Sequence, residues 1–365
     1  MNKDFLKRHF GSGKGNLYEA YLQDIDERVE QDNGDDQSRE DLRALYNACL
    51  IDDSSGRWER LDEILDIDRF PSFVAMELLT SHWDGYAMQV NNYRIYHDPK
   101  SDKMVFITHG LDATFRRPNL SIEPSLKSLV ARAVLTTPLG EELYQERIEA
   151  LFASVFDLPV ICTRMDKALS KIRSSGLSAP DIAEIARRAG LIRERIELRA
   201  RRVAEQLCGI EPETMQFDAA GFGYPVSWRD EPDSSGAILD RVKAGRRDTL
   251  HIRGREGQKR ASWRSQIFLK PGWYRFEGMA RMTMNSGPAR LRISGDTRNP
   301  GVPGNGTWQR LSHDFAVHAG GLDVELVCEL NALRGDVWFD LGSLRVKQLS
   351  APDWQSTNRL PVLQK

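Results

Sequence analysis

Cysteine is scarce in this chain. There are four in 365 residues, Cys49, Cys162, Cys208 and Cys328, far apart and without a C-x-x-C pair. That pattern excludes a disulfide framework or zinc site readable from spacing, and it predicts reduced thiols in cores. Long apolar runs are also missing, and no stretch reaches the roughly 20 residues that a membrane-spanning helix needs. The opening "MNKDFLKRHF" lacks an apolar core segment and does not read as a signal peptide. Neither sign of charge is in excess: Lys+Arg is 51, Asp+Glu is 53 and the net charge is −2. Such a balance gives no reason to expect nucleic acid or an anionic membrane as partner. Hydrophobic residues at 40% and charged residues at 28% are ordinary for a globular protein. The length predicts two or three domains.

Texture divides the chain into three regions. In residues 1–120, "DFLKRHFGSGKGNLYEAYL" reads as a helix end or strand, a Gly-rich turn and a short strand. The acidic "DERVEQDNGDDQSRED" reads as a loop that leads into a helix at about 38–50. A helix over Arg57–Leu65 follows, and then one capped by Asp68 that runs through Phe70, Val74 and Leu79 and is ended by Gly85. "NNYRIYH" and "MVFITH" read as two strands joined by "DPKSDK", with Asp112 directly after the second. Residues 121–210 read as helical, with Pro124 and Pro138 in first turns, Ser178 and Asp181 as a capping box, and an apolar stripe through Ile182, Ile185, Ile192, Ile196 and Val203. Arg187, Arg188, Arg195, Arg199 and Arg202 then form a solvated face. From about 211 to 350 the pattern is one of alternating strands punctuated by Gly, Pro and Asn, the mark of an antiparallel β-sandwich of jelly-roll type. Residues 351–365 read as a loosely ordered tail.

The stretch "HWDGYAMQVNNYRIYHDPKSDKMVFITHGLD" carries the chemistry. Phosphoryl transfer needs a carboxylate to orient the attacking hydroxyl and metal ions to neutralise phosphate charge. Magnesium takes hard oxygen ligands, usually one or two carboxylates, with phosphate and water completing the shell. Here a helix leads to Asp84, Asn91 and Asn92 open a hairpin, and Asp112 follows it. A hairpin can fold those ends into one cleft. The plainer alternative is that Asp84 ends a helix, the Asn pair makes a turn and Asp112 caps a helix. His82, His97 and His109 lie near these acids, but no pair has the i, i+4 spacing of a helical zinc site.

"KDFLKRHFGSGKGNLYE", "HWDGYAMQVNNYRIYHDP" and "FITHGLDATF" together closely resemble the CotH-type spore-coat protein kinase family, over roughly residues 1–160. The resemblance implies a multidomain α+β chain: an atypical protein-kinase-like C-lobe with a helical extension, followed by the β-sandwich. It implies transfer of phosphate from ATP, with Mg²⁺ or Mn²⁺, to Ser/Thr of a protein substrate. By motif position the catalytic aspartate falls on Asp84 and the metal-binding aspartate on Asp112. The metal-binding amide falls on Asn91 or Asn92, and the sequence leaves that choice open. The "GSGKG" loop lacks phosphate-loop spacing and reads as a tight turn, but the resemblance places it near the interlobe hinge, which makes Lys14 a nucleotide-binding candidate, and Arg116 and Arg117 are candidates to hold an acidic substrate.

Two departures from the family pattern stand out. Gly110 occupies a position where many relatives carry a second acid. The N-lobe strands that normally precede "NKDFLKRHF" are not in this chain, which reads as a C-lobe fragment. The resemblance carries the expectation of an exported or cell- or spore-surface protein, as many related proteins are, and the sequence itself does not name the compartment. The alternative function is a non-catalytic surface or binding protein whose sandwich binds carbohydrate or a partner protein, using some of Trp228, Trp263, Trp273, Trp308 and Trp338.

Overall fold

The computed structural model describes residues 3–25, 28–123, 126–232, 237–254, 261–283, 288–295, 301–317, 323–331 and 335–350. Two compact units divide the chain, Met1–Glu211 and Pro212–Lys365. Pro124 and the tail after residue 350 lie outside the described residues.

The first unit opens with α1 (Lys3–Phe10), β1 (Leu17–Ala20), β2 (Glu30–Asn33), α2 (Glu40–Cys49), α3 (Ser54–Ile64), α4 (Arg69–Leu79) and α5 (Tyr86–Gln89). The hairpin β3 (Tyr93–Asp98) and β4 (Lys103–Thr108) follows, then a 3₁₀ turn at Leu111–Ala113. Four helices complete the unit: α6 (Leu129–Leu135), α7 (Pro138–Ser154), α8 (Leu158–Arg173) and α9 (Ala179–Leu207). The sheet runs β2-β1-β3-β4 and is antiparallel throughout. β2 lies inside the acidic stretch expected to be a loop. As an edge strand with both faces polar it has no apolar alternation to announce it.

Local chemistry explains most boundaries. Asp53 caps α3 by accepting from the Gly56 N–H at 2.6 Å, so that helix starts earlier than its apolar face suggests. Thr137 caps α7 with Pro138 in the first turn, and Ser178 caps α9 through the Asp181 N–H at 3.3 Å. Two expectations fail. Asp68 makes no cap bond; Asp66 accepts from Arg69 N–H instead, through its carboxylate at 3.3 Å. Gly85 does not end α4, which stops at Leu79. The chain then turns at Ser81, a left-handed residue (φ 47°), and Gly85, at φ −87°, precedes the first residue of α5.

One aromatic cluster binds α4 to the hairpin. Phe106 of β4 lies 4.9 Å from Phe70 of α4 and 4.8 Å from Tyr86 of α5, and Tyr86 lies 4.3 Å from Tyr93 of β3. All four rings are buried, each contributing about 1.5–3 kcal/mol as removed apolar surface. The polar tips are also used. Tyr86 donates to Asp24 Oδ1 at 2.9 Å and Tyr93 to the Gln23 carbonyl at 2.8 Å. These tyrosines are core, as their place in the pattern implies.

The arginine face of α9 is not uniformly solvated. Arg187 and Arg188 pair with Glu184 on the surface, but Arg199 is fully buried. Its guanidinium donates to the carbonyls of Leu78, Leu79, Pro118 and Leu120. Arg199 falls between Ile196 and Val203 on the apolar side of the helix. The expectation of reduced thiols in cores holds for Cys49 and Cys328; Cys162 is half-buried and Cys208 is exposed.

The second unit is an antiparallel β-sandwich of β5 (Phe222–Gly223), β6 (Arg229–Pro232), β7 (Ile238–Ala244), β8 (Arg247–Gly254), β9 (Ala261–Phe268), β10 (Gly272–Met282), β11 (Ala289–Ile293), β12 (Trp308–Val317), β13 (Asp323–Leu330), β14 (Gly335–Asp340) and β15 (Arg345–Leu349). One sheet runs β5-β15-β10-β14-β8-β7 with β12 also on β10; the other runs β11-β13-β9-β6. Alternate residues such as Phe276, Phe339, Leu250, Leu326 and Cys328 fill the core. Trp228 and Trp263 are buried there, whereas Trp273, Trp308 and Trp338 are half-buried.

Removing the Arg199 guanidinium would leave several buried carbonyls without a donor. Arg199→Ala should therefore cost about 3 kcal/mol in the first unit. Urea unfolding followed by helical circular dichroism measures this; a loss below about 1 kcal/mol would show that the bonds contribute little.

Candidate active site

The end of α4 and the loop after it place the first candidate. Glu77, the one charged residue in the run "FVAMELL", is buried beneath that loop. Its two carboxylate oxygens accept from the Tyr86 and Ala87 N–H groups at 2.9 and 3.0 Å, capping α5. Burial pushes the Glu77 carboxyl up to about 8, against the two backbone N–H bonds that favour the charged form. A Cβ on residue 85 would stand 2.4 Å from Glu77 Oε1, so only glycine fits between Asp84 and this carboxyl.

Asp84 then meets both asparagines. Asn91 Nδ2 donates to Asp84 Oδ1 at 3.3 Å, and Asn92 Nδ2 donates to Oδ2 at 3.0 Å and to the Asp84 carbonyl at 2.9 Å. The two amides differ in what their oxygens do. Asn91 Oδ1 accepts from the Leu22 N–H at 3.2 Å, whereas Asn92 Oδ1 accepts no hydrogen bond among the described residues. Asn92 also takes the left-handed conformation (φ 53°), which asparagine tolerates better than most residues.

Asp112 comes into the same neighbourhood along two short links. The His109 N–H donates to the Asn92 carbonyl at 3.0 Å, and the Phe115 N–H donates to the Thr80 carbonyl at 2.8 Å. Gly110 sits against Asn92 between them: with φ +59°, a Cβ there would stand 2.3 Å from Asn92 Oδ1. A side chain at position 110 therefore cannot coexist with Asn92 as it stands here. Asp112 is exposed on its 3₁₀ turn and makes no hydrogen bond or ion pair among the described residues. Buried His82 lies between the two loops, its Nε2 at 3.1 Å from the His109 carbonyl oxygen. Burial holds its imidazole below the usual histidine value, while the His109 carbonyl, Asp84 and Asp112 oppose that shift. Both carboxylates thus lie within electrostatic reach of one ring.

The remaining candidates stand apart. Lys14 is exposed on the Gly-rich turn, and no hydrogen bond or ion pair among the described residues joins its side chain to these groups. Gly15 explains that turn, since a Cβ there would lie 1.9 Å from the His97 carbonyl. Arg116 is exposed. The Arg117 guanidinium lies 4.4 Å over the Trp83 ring, next to Asp84 in sequence. The histidines do not converge: His97 lies 3.1 Å from Asp41 and 2.9 Å from Asp102, and His109 lies 3.3 Å from Glu19. Among the described residues no group of three or more His, Cys, Asp or Glu is placed to hold a metal ion.

The family match falls on this unit. A family model described as CotH kinase protein matches residues 1–197. The chain belongs to the CotH kinase protein family. Curated relatives include Invasin CotH2 and Invasin CotH3 of Rhizopus delemar, each 40% identical over 55 residues, or 15% of this chain. That match spans only 9% of each relative's length. Solved structures similar to part of the chain include the CBM22-1 xylan-binding domain of Paenibacillus barcinonensis Xyn10C, at 16% identity and a TM-score of 0.26, covering 39% of this chain and 99% of that one. TmCBM61 in complex with β-1,4-galactotriose matches at 11% identity and a TM-score of 0.25, covering 34% and 91%.

Glu77 and Arg199 support this site without a motif that announces them. A lone acid in an apolar helix and an arginine in register with an apolar stripe were the available signals. Because the folded state holds the Glu77 proton from about pH 4.5 to 8, its contribution is present at acid pH and is lost as pH rises through 8. Relative to Glu77→Gln, the wild type should lose roughly 1 kcal/mol per pH unit across that window. Urea unfolding of both proteins at several pH values reads the difference; parallel profiles would show that the group titrates normally.

Proposed function

We propose that the CotH unit carries an atypical protein-kinase site that transfers the γ-phosphoryl group of ATP to a Ser or Thr hydroxyl of a protein. In this reading Asp84 accepts the hydroxyl proton and aims the oxygen at phosphorus. The Asn91 and Asn92 amides donate to separate Asp84 oxygens and hold the carboxylate in one orientation. Asp112 and Asn92 Oδ1 would hold the cation. Mg²⁺ or Mn²⁺, when bound, would neutralise phosphate charge during transfer.

The donor set fits such an ion: one carboxylate and one amide oxygen, neither engaged by protein donors among the described residues, with no His or Cys cluster that would favour zinc. The observation that carries this reading is the pairing of Asp84 with an asparagine whose oxygen is left over beside the Asp112 turn. Arg117, held over Trp83, would face an acidic substrate or phosphate near Asp84. Nothing in the contacts of Lys14 or Arg116 favours a role for them.

A second reading concerns the sandwich, whose half-buried tryptophans Trp273, Trp308 and Trp338 favour a carbohydrate or protein ligand there. It is compatible with the first, since the two belong to different units.

Mn²⁺-dependent binding of a fluorescent ATP analogue should be lost in Asp112→Asn and weakened about tenfold in Asn92→Ala. Asp84→Asn should keep that binding and lose phosphate transfer to a protein acceptor. Asn91→Ala should lower stability with little change in metal dependence. Equal binding by wild type and Asp112→Asn would remove the metal role, and equal loss in both asparagine variants would remove the distinction between them.

A further inference from the structure

The outer face of the larger sheet carries a row of side chains that the kinase reading does not use. Along β10, Ala280 and Met282 are fully buried, and Arg281 between them lies on the opposite face. Arg281 is directly opposite Trp308 of β12 and Trp338 of β14, and Trp338 is directly opposite His251 of β8. The side chains stack in that order. The Arg281 guanidinium lies 4.6 Å from the Trp338 ring and 5.6 Å from the Trp308 ring. His251 stacks on Trp338 at 4.8 Å with planes 5° apart, and the Arg247 guanidinium lies 4.9 Å from Trp308. Since β8 and β10 flank β14, Trp338 is sandwiched and offers no open ring face for a neutral sugar.

Charge along this row is not balanced. Arg247 pairs with Asp340, His251 and Arg253 share Asp336, and Arg310 and Arg345 share Glu277. Arg281 makes no hydrogen bond or ion pair among the described residues, and neither do the indole N–H groups of Trp308 and Trp338. The row therefore presents donors without an acceptor: a planar guanidinium fork flanked, about one strand spacing (~4.8 Å) to each side, by tryptophans whose indole N–H groups have no partner among the described residues. Indole contacts fix the guanidinium at low entropic cost and leave its charge uncompensated.

We propose that the row Trp308–Arg281–Trp338 binds the carboxylate of an acidic sugar, a uronate residue of a polysaccharide. A carboxylate matches the fork in a bidentate pair. The hydroxyl and ring oxygens a few ångströms away on the same sugar supply the neutral acceptors that the indoles lack. A free phosphate satisfies the fork alone, and a neutral sugar satisfies neither the charge nor a ring face. This deepens the binding reading of the sandwich and is independent of the kinase reading.

The test is calorimetric titration of the full chain with tetragalacturonate, xylotetraose and inorganic phosphate. Tetragalacturonate should bind, more weakly as salt is raised, and xylotetraose should not. Arg281→Gln should weaken binding about tenfold or more. Arg281→Lys, which keeps the charge and loses the fork, should weaken it comparably. Unchanged circular dichroism would establish that both variants are folded. Xylotetraose binding as tightly as tetragalacturonate, unaffected by Arg281→Gln, would overturn the acidic-sugar site and leave the sandwich a carbohydrate binder. Phosphate competing as well as tetragalacturonate would reduce the row to a bare anion hole. Binding of none of the three would overturn both the site and the carbohydrate reading.

Discussion

The arrangement of the candidate site depends on one buried carboxyl group. Glu77 faces inward from the last turns of α4 and holds the first two N–H groups of α5. Helix ends leave such donors unsatisfied, and burying them without a partner costs about 1–3 kcal/mol each. An acid in the core is tolerated here because burial keeps it largely protonated near neutral pH, which avoids the several kcal/mol of sealing in a full charge. The W-D-G sequence then has a steric reason. Asp84 can turn toward the asparagines only if the next residue lets the chain pass against Glu77, and glycine alone does.

Both acidic loops hang from the same helix terminus. Asp84 follows the left-handed turn at Ser81, and the Asp112 turn is tied back through the bond from Phe115 N–H to the Thr80 carbonyl. The carbonyls of Leu78 and Leu79, the last two residues of α4, accept from Arg199. A cation at a helix C-terminus also opposes the local dipole. The same guanidinium binds the carbonyls of Pro118 and Leu120, downstream of Asp112. The separation of the two acids is thus set by one helix end with an arginine as its clasp. The helices beyond residue 120 are part of what positions the chemistry.

Much of this was legible in sequence because local signals agreed with the fold. The hairpin, its polar turn, the capped helices and the change to strand texture near residue 211 each rest on neighbours in the chain. What was hidden rests on distant contacts. β2 is polar on both faces, and only its pairing with β1 makes it a strand. Arg199 reads as solvated because charge usually is, and its burial follows from carbonyls more than a hundred residues away on α4. Gly85 was read as a helix stop from its residue type, whereas its role is close approach to Glu77, a contact that residue preference does not encode. Which of Asn91 and Asn92 keeps an unengaged oxygen is hidden in the sequence for the same reason, since it turns on the N–H of Leu22.

The hydrogen bonds show why residue 92 suits asparagine. Position 92 combines a left-handed backbone, an amide donor bonded to Asp84 twice, and an oxygen facing the Gly110 turn. Glycine would supply the backbone and neither polar group. Aspartate would supply the oxygen and tolerate the backbone, but would set a like charge against Asp84, raising one of the two carboxyls and removing the donor. Glutamine carries the same amide on a longer stem and lacks asparagine's tolerance of positive φ. Gly110 is bound to the same logic, since its missing Cβ is the space that the Asn92 oxygen occupies. A side chain at position 110 and an asparagine at 92 in this pose therefore exclude each other.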